Sequence, residues 1–176
     1  GGSDWTTCLA WALERHRHVG TIGFDYGQRH AIEMTCRAPI RAAMRALSPR
    51  WVERLGDDHV LDASVINTVG ATALTCEAAI GFDAEGLPTT FVPGRNLLFF
   101  TFAATVADRR GLSVLVGGMC ETDFSAYPDS RANALKSLQV ALSPGLATAI
   151  LIDTPLIALA KPDAWAMTAN LAGCAP

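Results

Sequence analysis

Four polar segments of this chain combine residue types that can do chemistry. Residues 1–7 read Gly-Gly-Ser-Asp-Trp-Thr-Thr and stand directly ahead of a helical pattern. Glycines let backbone amides approach an oxyanion closely, and a helix N-terminus adds further donors and a favourable dipole. The segment therefore indicates a phosphate-binding loop. An ordinary tight turn before a helix is the alternative, and the Lys of a Walker loop is missing.

The second segment, residues 91–96, places Arg95 and Asn96 after a Pro-Gly turn at the start of an apolar helical pattern. A fork of donors there could clamp an anion, although a turn with a helix cap explains the same residues. The third segment, residues 117–131, follows an apolar strand and carries Glu121, Asp123 and Asp129. Residues 25–30 form a further polar run after a predicted strand.

Alternating helical and extended patterns must position these segments. In the first half we predict a helix over 6–17 with Asp4 at its N-cap, a strand over 19–24, a helix over 30–47 that Pro39 kinks or splits, a polar linker over 50–58, a strand over 59–61 and a helix over 64–73. In the second half we predict helices over 97–110, 131–142 and 161–171 and strands over 112–116 and 150–152. This alternation is typical of an α/β fold with a parallel sheet and crossover helices on both faces. Ligands bind such sheets beyond the carboxyl ends of the strands, so we expect the polar segments to share one edge.

Composition excludes several classes of protein. The 176 residues favour a single domain, and the net charge of −3 comes without a basic run that would bind long nucleic acid. No apolar stretch approaches the roughly 20 residues of a membrane span. The five cysteines lack a C-x-x-C pair, which favours reduced thiols in the cytoplasm.

Several motifs in register carry a family resemblance. The opening resembles the glycine loop of the ATP-pyrophosphatase (PP-loop) superfamily, which has an adenine-nucleotide-binding, Rossmann-like architecture. The later motifs together resemble the 7-cyano-7-deazaguanine synthase family of queuosine biosynthesis. They are residues 24–30 with Glu33, residues 91–96, residues 120–131, and residues 154–156 followed by Lys161 and Trp165.

The resemblance implies an enzyme that uses ATP, assisted by Mg²⁺, to convert 7-carboxy-7-deazaguanine and ammonia through an amide into 7-cyano-7-deazaguanine. It also implies a homodimer and, in the full-length family, a structural Zn²⁺ whose ligands this chain lacks. The positions it assigns to ATP binding are Gly1, Gly2, Ser3, Asp4, Thr6, Thr7, Cys8, Asp25 and Gln28. Those it assigns to catalysis are Arg95, Glu121, Asp123 and Lys161, with Asp129 as a further candidate for the base or the metal. Alternatives are another PP-loop ligase, tRNA-thiolating or amide-forming, and a degenerate nucleotide-binding module without turnover.

The chain departs from the family pattern at three points. Trp5 replaces a serine of the phosphate loop, and Ser130 replaces a cysteine in the Pro-Asp-Cys-Arg segment. The family also has a first strand ahead of the glycines and a zinc-binding cysteine cluster near its C-terminus. We therefore expect residues 1–176 to be one domain that is truncated at both ends.

Overall fold

A computed structural model describes residues 2–27, 32–68, 81, 88–120, 127–159, 163 and 166–167. The chain divides into two compact units. The first comprises Gly1–Val69 with Lys161–Pro176, and the second comprises Gly70–Ala160. The expectation of a single domain stays a prediction.

The first unit contains two parallel strands with helices before and between them. Its elements are α1 (Gly2–Arg15), β1 (Val19–Asp25), α2 (Ile32–Thr35), α3 (Arg37–Leu47), α4 (Pro49–Arg54), β2 (Leu55–Asp62) and a 3₁₀ turn (Ser64–Thr68). β1 pairs with β2 in parallel, and Asp25 lies opposite Asp62 at their carboxyl ends. The crossover through α3 and α4 is the connection that parallel strands require.

The core of the first unit lies where α1, α3 and α4 meet the start of β2. Leu13 and Trp51 are almost fully buried there. Leu9 and Leu13 are four residues apart on α1, which places them on one face of the helix. The buried members of this cluster are Leu9, Ala10, Leu13, Met44, Trp51 and Leu55.

The second unit repeats the parallel arrangement with shorter strands. It contains α5 (Arg95–Asp108), β3 (Val114–Val116), a 3₁₀ turn (Pro128–Ser130), α6 (Ala132–Gly145) and β4 (Leu151–Asp153). β3 and β4 are parallel, with Val116 opposite Asp153. Its buried core is Phe100, Ala104, Ala107, Leu115, Leu135, Leu142 and Ile150. Parallel strands joined by helices in both units confirm the predicted α/β class.

Several local predictions were wrong. The first helix begins at Gly2, so Asp4 lies in its first turn and not at the N-cap. The split that Pro39 predicts in the helix over 30–47 is confirmed: the break falls at Cys36, and Pro39 is the third residue of α3. A proline fits there because the first-turn amides have no intrahelical acceptor to lose.

The polar linker predicted over 50–58 was also wrong, because α4 and the start of β2 occupy it. Trp51 and Leu55 are buried in this stretch, while Asp58 is paired with Arg37 of α3. The acidic residues that suggested a linker are compatible with a strand because the adjacent helix supplies positive charge. The helix predicted over 161–171 lies mostly outside the described residues.

Candidate active site

The start of α1 contains most of the predicted ATP-binding positions. Thr7 and Cys8 are buried, at 2% and 4% exposure, whereas Asp4 and Thr6 are partly exposed. Burial, and secondarily the charge of Asp4, raises the pKa of the Cys8 thiol to about 12. Cys8 therefore stays protonated near neutral pH and contributes packing. Among the side chains of this turn that the structure describes, Asp4, Trp5 and Thr6 are partly exposed.

Trp5 lies on the side of α1 that meets the core. It packs against the cluster around Leu13 and Trp51. The guanidinium carbon of Arg37 lies 5.8 Å from the centre of its ring, within the range of a cation–π contact. The indole thus has apolar and cationic partners inside the first unit.

The carboxyl end of β1 leads into a turn that is held by hydrogen bonds. The Gly27 amide donates to Oδ1 of Asp25 at 3.1 Å, and the Asn67 side-chain amide donates to the Tyr26 carbonyl at 2.6 Å. Gly27 has φ +70°, which favours glycine, and an added Cβ would lie 3.3 Å from Nδ2 of Asn67. One oxygen of Asp25, a predicted ATP contact, therefore fixes the turn through Gly27.

Asp62 ends β2 next to Asp25 and was missed by the sequence analysis. Its Oδ1 accepts a hydrogen bond from the Ser64 amide at 2.8 Å. Hydrogen bonds from the Ser64 side chain and backbone lower the pKa of this carboxyl. The signal in the sequence was an Asp two residues before a Ser at the end of a strand, the pattern of an Asx turn.

A polar network around the buried arginines Arg37 and Arg41 joins α3 to both strands of the first unit, and it was also missed. Arg37 is paired with Asp58, whose Oδ1 also accepts from the Thr21 hydroxyl at 2.6 Å. Arg41 donates to the Thr21 hydroxyl and to the Gly56 carbonyl, both at 2.5 Å. Burial alone would raise the pKa of Asp58, but the hydrogen bonds from Arg37 and Thr21 lower it below its ordinary value. Arg37 and Arg41 are four residues apart, which brings both onto the strand-facing side of α3.

Gly23 makes room for that network. A Cβ on Gly23 would lie 2.7 Å from the guanidinium carbon of Arg37. The glycine at this buried position of β1 therefore lets the arginine cross the strand.

In the second unit, residues 91–96 and 127–130 come together although the sequence separates them. Both oxygens of Asp129 accept hydrogen bonds from Asn96, Oδ2 from the backbone amide at 2.9 Å and Oδ1 from the side-chain amide at 3.1 Å. Asp129 and Asn96 are 5% and 9% exposed. Asn96 is the second residue of α5, so Asp129 supplies the cap that Gly94, the N-cap residue, has no side chain to provide. The turn-and-cap interpretation of residues 91–96 thus holds, but the capping side chain comes from the other segment.

Tyr127 makes three contacts between the same two segments. Its ring stacks on Phe91 with centroids 5.6 Å apart, and its hydroxyl is hydrogen-bonded to the Thr90 hydroxyl at 2.6 Å. The guanidinium carbon of Arg95 lies 5.6 Å from the centre of the Tyr127 ring. Arg95 is partly exposed, so its charge remains accessible while the aromatic ring supports it.

Other predicted site residues cannot be placed. Gly1, Gln28, Glu121, Asp123 and Lys161 lie outside the described residues, and Gly2 and Ser3 are placed only as part of α1. The shared edge predicted for the polar segments stays a prediction. Among the described residues, no group of three His, Cys, Asp or Glu side chains is arranged to hold a metal. None of the helices formed by the described residues has the length and apolar character that a membrane span needs.

Parallel strands connected through helices, with polar turns at the strand ends and the helix starts, define an α/β protein of the crossover-connected class. The chain belongs to the family described as queuosine biosynthesis protein QueC, whose model matches residues 1–175. This confirms the resemblance seen in the sequence and makes the chain a member of an enzyme family of queuosine biosynthesis.

Similar curated proteins carry one name. The chain is 61% identical over 173 residues to a 7-cyano-7-deazaguanine synthase of Methylibium petroleiphilum, covering 98% of this chain and 74% of that protein. It is 58% identical to the synthase of Hyphomonas neptunium, covering 98% and 72%. It is 57% identical to that of Paraburkholderia phytofirmans, covering 98% and 71%.

Proposed function

We propose that this chain catalyses the ATP-dependent conversion of 7-carboxy-7-deazaguanine and ammonia into 7-cyano-7-deazaguanine. The observation that carries the proposal is the family match over residues 1–175, together with relatives that are named for this synthase. Other PP-loop ligases are expected to share the glycine loop with this chain but not residues 25–30 and 121–125 together.

The reaction needs the substrate carboxylate to be activated twice. A carboxylate oxygen attacks the α-phosphate of ATP and pyrophosphate leaves. Ammonia then displaces AMP from the acyl carbon and loses a proton, which gives the amide. The amide oxygen is activated by a second ATP in the same way, and loss of AMP and of both amide protons leaves the nitrile.

In the first unit, the N-terminal turn of α1 is the proposed phosphate site. A helix start offers unpaired amides to an anion, and the hydroxyl of Thr6 is a further donor on the exposed side. Mg²⁺ is commonly bound by one or two protein carboxylates together with phosphate oxygens of the substrate. Asp4, in the first turn, is the carboxylate that fits this arrangement, and Mg²⁺ would supply charge neutralisation of the triphosphate.

In the second unit, Arg95 is the proposed anion contact. Its guanidinium offers several donors in a planar fork that matches a carboxylate or a phosphate. Support from the Tyr127 ring restricts its position without neutralising its charge. We also propose, from the family resemblance alone, that the protein is a cytoplasmic homodimer and that the Zn²⁺ of the family has a structural role.

The test is a product assay with purified protein, ATP, Mg²⁺, ammonium and the carboxylated base, followed by mass spectrometry. The proposal expects the nitrile and AMP, and it expects the amide to accumulate transiently. Omission of ATP or ammonium must abolish the nitrile. ATP consumption without amide or nitrile would favour another PP-loop ligase, and ATP binding without consumption would favour a module that has lost turnover.

A further inference from the structure

The 3₁₀ turn Pro128–Ser130 and Tyr127 before it contain two side chains that reach back to the start of α5. Asp129 holds Asn96, and the ring of Tyr127 contacts both Phe91 and Arg95. Asn96 follows Arg95 directly, so the backbone from which Arg95 projects is fixed by Asp129 on one side. The ring of Tyr127 supports the guanidinium of Arg95 on the other side.

We propose that Asp129 and Tyr127 are positioning residues that hold Arg95 for an anionic ligand. The inference rests on the proposed role of Arg95 as an anion contact. It assigns to Asp129 a function different from contact with the base or the metal, because the carboxylate is 5% exposed and each of its oxygens is turned to a donor of Asn96.

The burial of this pair argues that it does more than cap a helix. Ordinary N-caps are formed locally, by the residue just before the first turn. Here the cap comes from 33 residues further along the chain and from a carboxylate that is 5% exposed. Removing a carboxylate from water has a cost that only well-directed donors offset, and the two amides of Asn96 supply them. The arrangement ties the orientation of Arg95 to the 127–130 segment.

Tyr127 provides an independent second contact. An aromatic face holds a guanidinium in one plane, and the stacked Phe91 and the Thr90 hydroxyl keep that face from rotating. Asp129 therefore sets the backbone of Arg95, and Tyr127 sets its side chain.

The central experiment is a double-mutant cycle between Asp129 and Arg95. KM for ATP and for the carboxylated base is measured for Asp129→Asn, Arg95→Ala and the double variant. If Asp129 acts through Arg95, Asp129→Asn raises the KM that Arg95→Ala raises, by about tenfold, and adds little in the Arg95→Ala background. Equal KM increases from Asp129→Asn in both backgrounds would overturn the inference. No KM effect from Arg95→Ala itself would instead overturn the proposed anion contact.

An exchange of the pair guards against variants that merely fold poorly. Asn96→Asp alone sets two carboxylates against each other. Asp129→Asn alone keeps one acceptor oxygen where the carboxylate offered two, and it removes the charge from both hydrogen bonds. The double exchange, Asn96→Asp with Asp129→Asn, restores a donor and an acceptor on each side. We expect the double exchange to reverse most of the KM increase seen in either single variant. Failure of the exchange to recover KM while the thermal midpoint recovers would contradict a positioning role.

Two further variants complete the set. Tyr127→Phe keeps the ring beneath Arg95 and should leave KM within about twofold, whereas Tyr127→Leu removes the ring and should raise it more. Asp108→Asn is the matched control, because it removes one carboxylate from the opposite end of α5, where Asp108 accepts from Thr148 at 2.8 Å. Its KM should match that of the parent protein. A KM increase as large as that of Asp129→Asn would assign the effect to α5 stability in general.

Discussion

Asn96 donates both its backbone amide and its side-chain amide to the carboxylate of Asp129, at 2.9 and 3.1 Å. The pair joins two segments that the sequence presents as separate motifs. Because both residues are buried, its loss should also be visible as a loss of stability.

Asp129→Ala should lower the free energy of unfolding by about 2–4 kcal/mol, since it leaves two buried amide donors of Asn96 without an acceptor. Urea unfolding followed by circular dichroism measures this. Ser130→Ala is the comparison, because it removes only the bond from the Ser130 hydroxyl to the Tyr127 carbonyl. A cost for Asp129→Ala no larger than that for Ser130→Ala would mean that water replaces the carboxylate.

Gly23→Ala should destabilise the first unit by about 1–2 kcal/mol, because its Cβ would displace the Arg37 guanidinium from Asp58. Gly20→Ala on the same strand is the control, since its Cβ would meet only the Asp57 carbonyl oxygen, at an ordinary 3.7 Å. Thermal unfolding of the two variants should separate them by several degrees. Equal midpoints would show that Arg37 moves aside without cost.

Stability should fall as the pH is lowered below about 5, with three carboxyls contributing. The Arg50 and Trp51 side chains lower the pKa of Glu14 through hydrogen bonds, and the pKa values of Asp58 and Asp62 are also lowered. A carboxyl with a lowered pKa binds fewer protons in the folded than in the unfolded state, so its contribution is present above the ordinary pKa and is lost as pH falls through the folded pKa. Denaturant titrations at about pH 7 and about pH 3.5 test this. Asp58→Asn should reduce the difference between them, and an undiminished difference would remove Asp58 from the explanation.

Arg95→Ala should lower kcat/KM far more than Arg110→Ala. Loss of a charge-assisted contact to a ligand costs about 1.5–3 kcal/mol of transition-state stabilisation. Arg110 is exposed just beyond the end of α5 and is not among the proposed ligand contacts. Steady-state kinetics of both variants measure this difference. Small and equal effects on kcat/KM would mean that Arg95 has only a structural role in the turn.

Trp5→Ser should have opposite effects on stability and on ATP use. Removing the half-buried indole from the cluster around Leu13 should lower the free energy of unfolding by about 1–2 kcal/mol. The added hydroxyl restores the side chain of the resembled loop and should lower KM for ATP. Trp5→Ala separates the two effects, because it loses the indole without gaining a donor. If Ala and Ser give the same KM, the hydroxyl has no role.

The sequence predicted the α/β class and most of the described helices and strands, because apolar periodicity and the family motifs both reflect local patterns. It misassigned residues 50–58, where acidic residues lie on a strand beside the arginines of α3. It could not predict that Asp129 caps α5 or that Arg37 crosses Gly23, since both contacts join residues far apart in the chain. The roles of Asp4, Thr6 and Arg95 in ligand binding stay predictions.

The most direct measurement of the central claim follows the oxygen of the substrate. 7-Carboxy-7-deazaguanine labelled with ¹⁸O in both carboxylate oxygens is converted with ATP and ammonium, and the released AMP is analysed by mass spectrometry. In the proposed reaction one carboxylate oxygen leaves with AMP in the amide step and the other leaves with AMP in the nitrile step. Each AMP should therefore carry one ¹⁸O, and the nitrile product should carry none. Unlabelled AMP, or no nitrile, would contradict the account.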